Sequence, residues 1–428
     1  MSELSTGTKV KFTNGGSCTV KKELGRGGQG IVYLVDYNGN DYALKWYHLP
    51  YPDAFYANLK KNAEAGAPSE SFIWPLAVTE RQNDSYGYIM KLRPKGYEEL
   101  GAFMLAKARF KSVECVIDAA LQICTSFQKL HIRGLSYQDM NDGNFFINPE
   151  TGHVLICDND NVAPNGVNMG IAGKVGFMAP EIVEHQSLPN RNTDYFSLAV
   201  TLFILFYLNR PFEGAFALSC PCMNEDAERK LNGKDAIFIM DPTNPKNRPV
   251  PGVHKNVIRR WGAYPKMLQD EFIKTFSSEA MHDPTKRTMD RKWEQLLVQL
   301  RAFYVQCPIC GKMTFVNDET PTQCIECGKP LTKPVLVKCG KYNVPLVPGQ
   351  KFYKCMTTFE EDHDTVVGEA VRNKVDPKKW GLVNKSGQPW TVTLPDGTVR
   401  NVDSGSGMPM VIGAKIRFSK DITGEIVK

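Results

Sequence analysis

The sequence predicts an α+β chain: a β-rich lobe, then a helical lobe, then a short cysteine-rich segment and a C-terminal β domain. Three observations predict it. Residues 10–47 hold β-rich runs separated by Asn-Gly and Gly-Gly turn signals. Residues 112–130 switch period, with Val113, Val116, Ile117, Ala120, Leu121, Cys124, Phe127 and Leu130 recurring at helical spacing. Beyond Tyr304 the composition changes again, first to four cysteines in two CxxC pairs and then to Val-, Thr- and Gly-rich alternation.

Taken in order, strands are expected at 10–12, 18–24, 31–37 and 41–47, where β-branched and aromatic residues concentrate. Helical patterns continue over 194–208, 256–276 and 290–304, while the Pro- and Asn-rich stretch 219–255 reads as a long surface excursion. Within 335–428, Trp390-Thr391-Val392-Thr393-Leu394 alternates in the manner of a strand and runs into a Pro395-Asp396-Gly397 turn.

Composition narrows the function classes. With 428 residues, 42% of them apolar and 23% charged, the chain is an ordinary globular one of about three domains, and wholesale disorder is excluded. A net charge of +6 without a basic run neither demands nor excludes nucleic acid. The longest apolar stretch, 195–208, falls short of the ~20 residues that span a bilayer, so a buried helix is expected and no membrane. Residues 1–8 show no basic start followed by an apolar core, which predicts a cytoplasmic protein. Twelve cysteines in a reducing compartment then point to metal ligation or burial.

Gly25-Arg26-Gly27-Gly28-Gln29-Gly30-Ile31-Val32 is a GxGxxGxV pattern lying between two strand patterns. Glycines there let the backbone fold over phosphates with no side chain in the way. A dinucleotide site would need a helix after the last glycine, and a strand pattern follows instead. An ordinary glycine hairpin fits the same residues. What separates these readings is Tyr42-Ala43-Leu44-Lys45, one strand later, where a lysine in an apolar strand can reach nucleotide phosphates.

With these two motifs the chain resembles the protein kinases, over about residues 15–303, and further motifs follow in that family's order. The resemblance implies a bilobal fold in a kinase domain at 1–303, with an N-lobe at about 9–93 and a C-lobe at about 94–303. It also implies ATP, Mg²⁺ and protein substrates that accept the phosphoryl group on Ser/Thr hydroxyls. In that frame Gly25, Gly27 and Gly30 cover the phosphates and Lys45 holds them. Val32 and Ala43 pack above the adenine, and Phe146 packs below it.

Ser136-Tyr137-Gln138-Asp139-Met140-Asn141-Asp142-Gly143-Asn144 resembles the family's catalytic loop. Asp139 is then the acceptor of the substrate hydroxyl's proton, and Asn144 a Mg²⁺ ligand. Leu155-Ile156-Cys157-Asp158-Asn159-Asp160 puts Asp158 at the second metal-binding position, with Asn159 and Asp160 where the family has Phe and Gly. Asp160 either caps the turn or adds an acid near the metal.

Gly173-Lys174-Val175-Gly176-Phe177-Met178-Ala179-Pro180-Glu181 resembles the end of an activation segment, with Lys174 in place of Thr. Asn141 stands where the catalytic loop carries a Lys. These departures are complementary, so Lys174 is expected to supply the cation at the γ-phosphate; an exposed loop lysine is the plain alternative. Asp194 is expected to bond the catalytic-loop backbone, and Arg287 to pair with Glu181.

Residues 158–181 contain no Ser, Thr or Tyr, and Gln138 replaces the Arg that would bind a phosphate there. Regulation by partners is expected in place of phosphorylation of that segment. The helix expected near 52–66 should carry a Glu partner for Lys45; Glu64 is the Glu it offers, close to its end, where a surface role is the stronger expectation and the ion pair would then be displaced or absent. A pseudokinase scaffold that binds nucleotide and acts through the C-terminal modules is the alternative function.

Cys307-Pro308-Ile309-Cys310-Gly311 and Cys324-Ile325-Glu326-Cys327-Gly328 are two knuckles whose four thiolates suit one structural Zn²⁺, which predicts a zinc ribbon at 304–332. Lys312 and Lys329 are its basic residues against Asp318, Glu319 and Glu326, which argues for docking and against nucleic acid. Residues 333–428, with Trp380-Gly381-Leu382-Val383-Asn384 and Trp390, resemble a forkhead-associated (FHA) β-sandwich that lacks the Gly-Arg pair and SxxH of phosphothreonine readers. The whole layout is similar to bacterial kinases associated with tellurite-resistance-type von Willebrand A (vWA) proteins and PP2C phosphatases, which implies a vWA protein and a PP2C-type phosphatase as partners.

Overall fold

The computed structural model describes every residue except 1–2, 49, 83–84, 171–172, 221, 223 and 318–321, so Asp318 and Glu319 lie outside the described residues. The chain divides into two units, 1–260 with 270–294 and 261–269 with 295–428.

The first unit opens with an antiparallel sheet built from β1 (Lys9–Lys11), β2 (Ser17–Arg26), β3 (Gly30–Tyr37), β4 (Asn40–Tyr47), β5 (Ala77–Val78) and β6 (Gly87–Lys91), in the order β1-β2-β3-β4-β6-β5. Side chains alternate across β4 as the pleat requires. Leu44 and Trp46 join a cluster with Val10, Phe12, Ile31 and Val35. Tyr47 points the other way and packs with Phe55 and Leu59 of helix α1 (Asp53–Ala65) and with Tyr86 and Tyr88. Gly30 sits opposite Tyr47 in the β3–β4 register, and a Cβ there would collide with the Trp46 carbonyl. That glycine is demanded by backbone approach.

The rest of the first unit is mainly helical. After the short strand β7 (Glu98–Glu99) and α2 (Leu100–Met104), α3 (Val113–Ile132) starts at Ser112, whose Oγ accepts from Cys115 N. The strands β8 (Leu135–Ser136), β9 (Phe145–Ile147), β10 (Val154–Ile156) and β11 (Ala163–Pro164) follow; β9 pairs with β7 and β10, and β11 with β8. α4 (Pro180–Val183) precedes α5 (Arg191–Tyr207), which begins with a reciprocal cap between Asn190 and Thr193 and buries every residue from Thr193 to Tyr207. That explains the apolar run at 195–208. Among the described residues no helix is long and apolar enough to cross a membrane.

The pattern at 256–276 is two helices, Lys255–Trp261 and Lys266–Thr275. Gly262 and Pro265 fall in the break, one weakening the helix and the other lacking an N–H. Among the described residues, the excursion at 219–255 holds the two-turn helix Glu225–Asn232, capped by Asn224, and a single 3₁₀ turn, Pro245–Asn247.

In the second unit, Phe303, Val305, Cys307, Val316, Cys324 and Leu331 form a small core around the cysteine knuckles. Beyond it lie two antiparallel sheets. One has six strands, in the order Tyr342–Pro345, Leu336–Cys339, Thr423–Val427, Lys415–Arg417, Trp390–Thr393, Val399–Val402; the other has four, in the order Lys351–Tyr353, Val366–Arg372, Trp380–Asn384, Gly407–Pro409. Trp390 is buried, and a Cβ at Gly368 of the four-stranded sheet would meet its ring at 2.9 Å. The expected turn at Pro395-Asp396-Gly397 closes with Gly397 N donating to Leu394 O at 2.9 Å.

Candidate active site

The strand β4 delivers Lys45 into a closed acidic site. Its side chain is buried, and Nζ donates to Asp160 Oδ2 and Gln29 Oε1, both at 2.8 Å, and lies 3.4 Å from Asp158 Oδ1. Tyr47, two residues on and therefore on the same face of the strand, donates its hydroxyl to the same Asp160 Oδ2 at 2.6 Å. Burial works against the Lys45 charge, yet the Asp160 and Asp158 carboxylates outweigh it and the ammonium is held more firmly protonated than a free lysine.

The loop after β10 is built from polar contacts. Asp158 has φ 52°, a left-handed conformation that Asp tolerates because its short side chain bonds locally. Asn159, fully buried where the resemblance expects Phe, donates through Nδ2 to Ile73 O and Ile156 O, each at 2.8 Å. Asn58 and Asn62 of α1 both donate to Val162 O at 2.8 Å. Glu64 is exposed on α1, and among the described residues the carboxylates at Lys45 are Asp158 and Asp160. One helical turn separates Asn58 from Asn62, so those two share the inward face and Glu64 does not.

The catalytic-loop residues come together beside this loop. Asn144 Nδ2 donates to Asp139 O at 2.9 Å, which leaves Oδ1 as an oxygen donor, and Asn141 Nδ2 donates to Asp139 Oδ1 at 3.2 Å. Asn161 Nδ2 reaches Asp139 Oδ2 at 3.4 Å. Burial lifts the Asp139 carboxyl to about 6, with the Asn141 hydrogen bond pulling it down and the Asp158 charge pushing it up. Asn144 Oδ1 and the half-exposed Asp158 carboxylate are hard oxygen donors that fit Mg²⁺.

The loop is braced from behind. Asp194 Oδ2 accepts from Tyr137 N at 2.7 Å and from His131 Nε2 at 3.1 Å, and His131 Nδ1 donates to Asp290 Oδ2 at 2.7 Å. Burial alone would lower His131, but the two carboxylates raise it to about 9, so it is an imidazolium at neutral pH. Glu181 and Arg287 form a buried two-point pair, with both N···O distances 2.7 Å. Gln138 Nε2 donates to Val167 O at 2.7 Å, so a neutral amide ties the catalytic loop to the segment that follows.

The nucleotide-facing candidates are placed as follows. Gly25 and Gly27 are exposed, and Gly27 N donates to Gly30 O at 2.9 Å in the turn between β2 and β3. Val32 is half-buried opposite Lys45, and Ala43 is buried. Phe146 lies on β9 with the Arg93 guanidinium 3.8 Å from its ring centroid. Lys174 ion-pairs with Asp142 in the catalytic loop, and Asp142 also holds Arg210 at 3.1 Å. Sequence reasoning missed Tyr47, Gln29, Arg93, Asp142 and the inward pair Asn58 and Asn62. Tyr47 was findable, because a polar tip at i+2 from the lysine lies on the lysine's face; the others depend on long-range packing.

Residues 18–287 match the protein kinase domain family. The chain belongs to that family. Among curated relatives, protein kinase YegI of Escherichia coli strain K12 is 29% identical over 235 residues, covering 50% of this chain and 36% of YegI. YegI of E. coli O157:H7 is 29% identical over 228 residues, 49% of this chain and 34% of its own. Serine/threonine-protein kinase Sgk1 of Fundulus heteroclitus is 27% identical over 114 residues, 26% of this chain and 24% of Sgk1. The aligned part of this chain thus spans about a third of the YegI proteins.

The kinase domain holds the motif residues in one place, and kinase chemistry implies ATP, Mg²⁺ and protein substrates. Outside it, the Sγ atoms of Cys307, Cys310, Cys324 and Cys327 lie within 4.8 Å of one another. Gly311 N and Gly328 N close the two knuckles on Cys307 O and Cys324 O at 3.0 and 2.8 Å, with both glycines at positive φ. This donor set is consistent with a zinc site.

Proposed function

We propose that the chain is an ATP-dependent protein Ser/Thr kinase. The observation that carries the reading is the contact of Lys45 with Asp158, 3.4 Å apart across 113 residues of chain, beside an Asp139 bound by Asn144. Gly25, Gly27 and Gly30 cover the phosphates, Lys45 holds them, and Val32, Ala43 and Phe146 enclose the adenine. Asn144 and Asp158 hold Mg²⁺, which offsets charge on the phosphates when bound. Asp139 takes the proton from the substrate hydroxyl. The substrate hydroxyl oxygen then bonds the γ-phosphorus as the bond to the β,γ-bridging oxygen breaks and ADP leaves. Lys174, held over the catalytic loop by Asp142, supplies positive charge to the γ-phosphoryl oxygens.

Regulation comes from partners: residues 158–181 offer no hydroxyl, and Gln138 makes its link to Val167 without a phosphate. We assign the kinase domain to 1–303, a zinc ribbon to 304–332 and an FHA-like β-sandwich used for docking to 333–428. A PP2C-type phosphatase and a vWA-domain protein are the proposed partners, on the resemblance of layout. Phosphate transfer from γ-labelled ATP with Mg²⁺, to the chain itself and to a generic protein, tests the enzyme. Transfer lost in both Asp139→Ala and Asp158→Ala supports it. Bound ATP with no transfer in the wild type overturns it in favour of a nucleotide-binding scaffold.

A further inference from the structure

We propose that Asp160 is the positioning residue of Lys45: the loop that carries the metal-ligand candidate Asp158 also holds the phosphate-binding lysine, and helix α1 does not. This rests on the kinase reading of the site. Three observations carry it. The first is the identity of the groups bonded to Nζ among the described residues, which are Asp160, Asp158 and Gln29, while Glu64 of α1 is exposed. The inward face of α1 offers the amides of Asn58 and Asn62, and both donate to Val162 O. An amide N–H has nothing to give an ammonium, which is itself only a donor.

The second is how Asp160 is held. It is 0% exposed, and its Oδ2 receives both Lys45 Nζ and Tyr47 OH. Two donors from one face of one strand converge on one oxygen, so the register of β4 fixes the carboxylate and the lysine together. A buried carboxylate in that position is tolerated because the ammonium pairs with it at hydrogen-bond distance. The third is the anchoring of the loop. Asn159 is bonded to Ile73 O and Ile156 O, both outside α1, so the loop beside Asp160 has anchors of its own in addition to the α1 amides at Val162 O.

The consequence is a site assembled by one short stretch of chain. Asp158 and Asp160 are two residues apart, so whatever places the metal ligand places the lysine. Asp160 never touches the reacting atoms; it acts through Lys45.

The test compares kcat and KM for ATP in wild type, Asp160→Asn, Tyr47→Phe and Glu64→Ala, together with a double-variant cycle of Lys45→Met and Asp160→Asn read by unfolding of the nucleotide-free full chain. Asp160→Asn is expected to lower kcat by about 10²-fold, the usual effect of a misplaced catalytic constellation. Tyr47→Phe lowers kcat several-fold, and Glu64→Ala leaves both constants within about twofold. In the cycle, the two substitutions are expected to be markedly non-additive, as for contacting residues. Wild-type kinetics in Asp160→Asn, or additivity in the cycle, overturns the inference. Should Asp160→Asn fail to fold, Tyr47→Phe decides, since unchanged kcat without the shared hydroxyl overturns it equally. A wild type that transfers no phosphate overturns the kinase reading itself and is recognised by that inactivity before any variant is compared.

Discussion

Two lysine–aspartate pairs lie at the candidate site and differ in what surrounds them. Lys45 and Asp160 have side chains 7% and 0% exposed, whereas Lys174 and Asp142 are 47% and 13% exposed. The groups are chemically identical, so burial decides what each pair does. In the buried pair water cannot replace a lost partner, and the geometry of each charge is dictated by the other. At the surface, water competes for both charges and Lys174 is free to exchange Asp142 for a phosphate.

The largest expected effect breaks the buried pair. Lys45→Met should cost about 3–5 kcal/mol of stability by stranding Asp160, and Lys45→Met/Asp160→Leu should regain most of it. Urea unfolding followed by tryptophan fluorescence measures this. Equal losses in the single and double variants would erase the contrast between the two pairs.

A buried charge cluster that titrates sharpens the comparison. The folded-state value of His131, about 9, lies above its unfolded value of about 6.5. Its pairing with Asp194 and Asp290 therefore stabilises fully below pH ~6.5, and this contribution fades as pH rises through about 9. Melting temperature followed from about pH 6 to about pH 10 should fall across that window in wild type and fall less in His131→Gln.

Half-buried Asp139 comes next. A proton acceptor lifted to about 6 must be ionised to work, so kcat/KM should decline on the acid side with a midpoint near that value. A flat profile down to pH ~5 would remove Asp139 as the base.

The smallest stability change is expected at the exposed pair, where Lys174→Ala should cost less than about 1 kcal/mol. Turnover is the informative reading there. A loss of ~10-fold or more fits a cation at the γ-phosphoryl oxygens, and unchanged turnover ends that role.

The elements were legible where local pattern and packing agree. The N-terminal strands, α3 and α5 fall where alternation and helical spacing put them, since each buries one face, or in α5 all of them. The break at Gly262 and Pro265 was visible in composition, yet the apolar spacing continues across it and masks two helices as one pattern. Glu64 is an acid on the helix where a partner for Lys45 was sought, and the surface role that its place near the helix end suggested is the one it has. Only the helical phase, set by Asn58 and Asn62 meeting Val162, turns it to solvent.

From residue order alone came the presence of the glycine turn, Lys45, Asp139, Asn144, Asp158 and the two cysteine knuckles, because each motif is defined by spacing within a short stretch whose local geometry is self-contained. Tertiary structure decided the pairings: Asp160 with Lys45 and Tyr47, Asn159 with the Ile73 and Ile156 carbonyls, and Lys174 with Asp142. Such contacts join residues far apart in sequence, and several donors and acceptors of suitable type were available to each. Which ones meet is set by the packing of strand, loop and helix, and that is where burial turned one lysine–aspartate pair into a structural lock and left the other open.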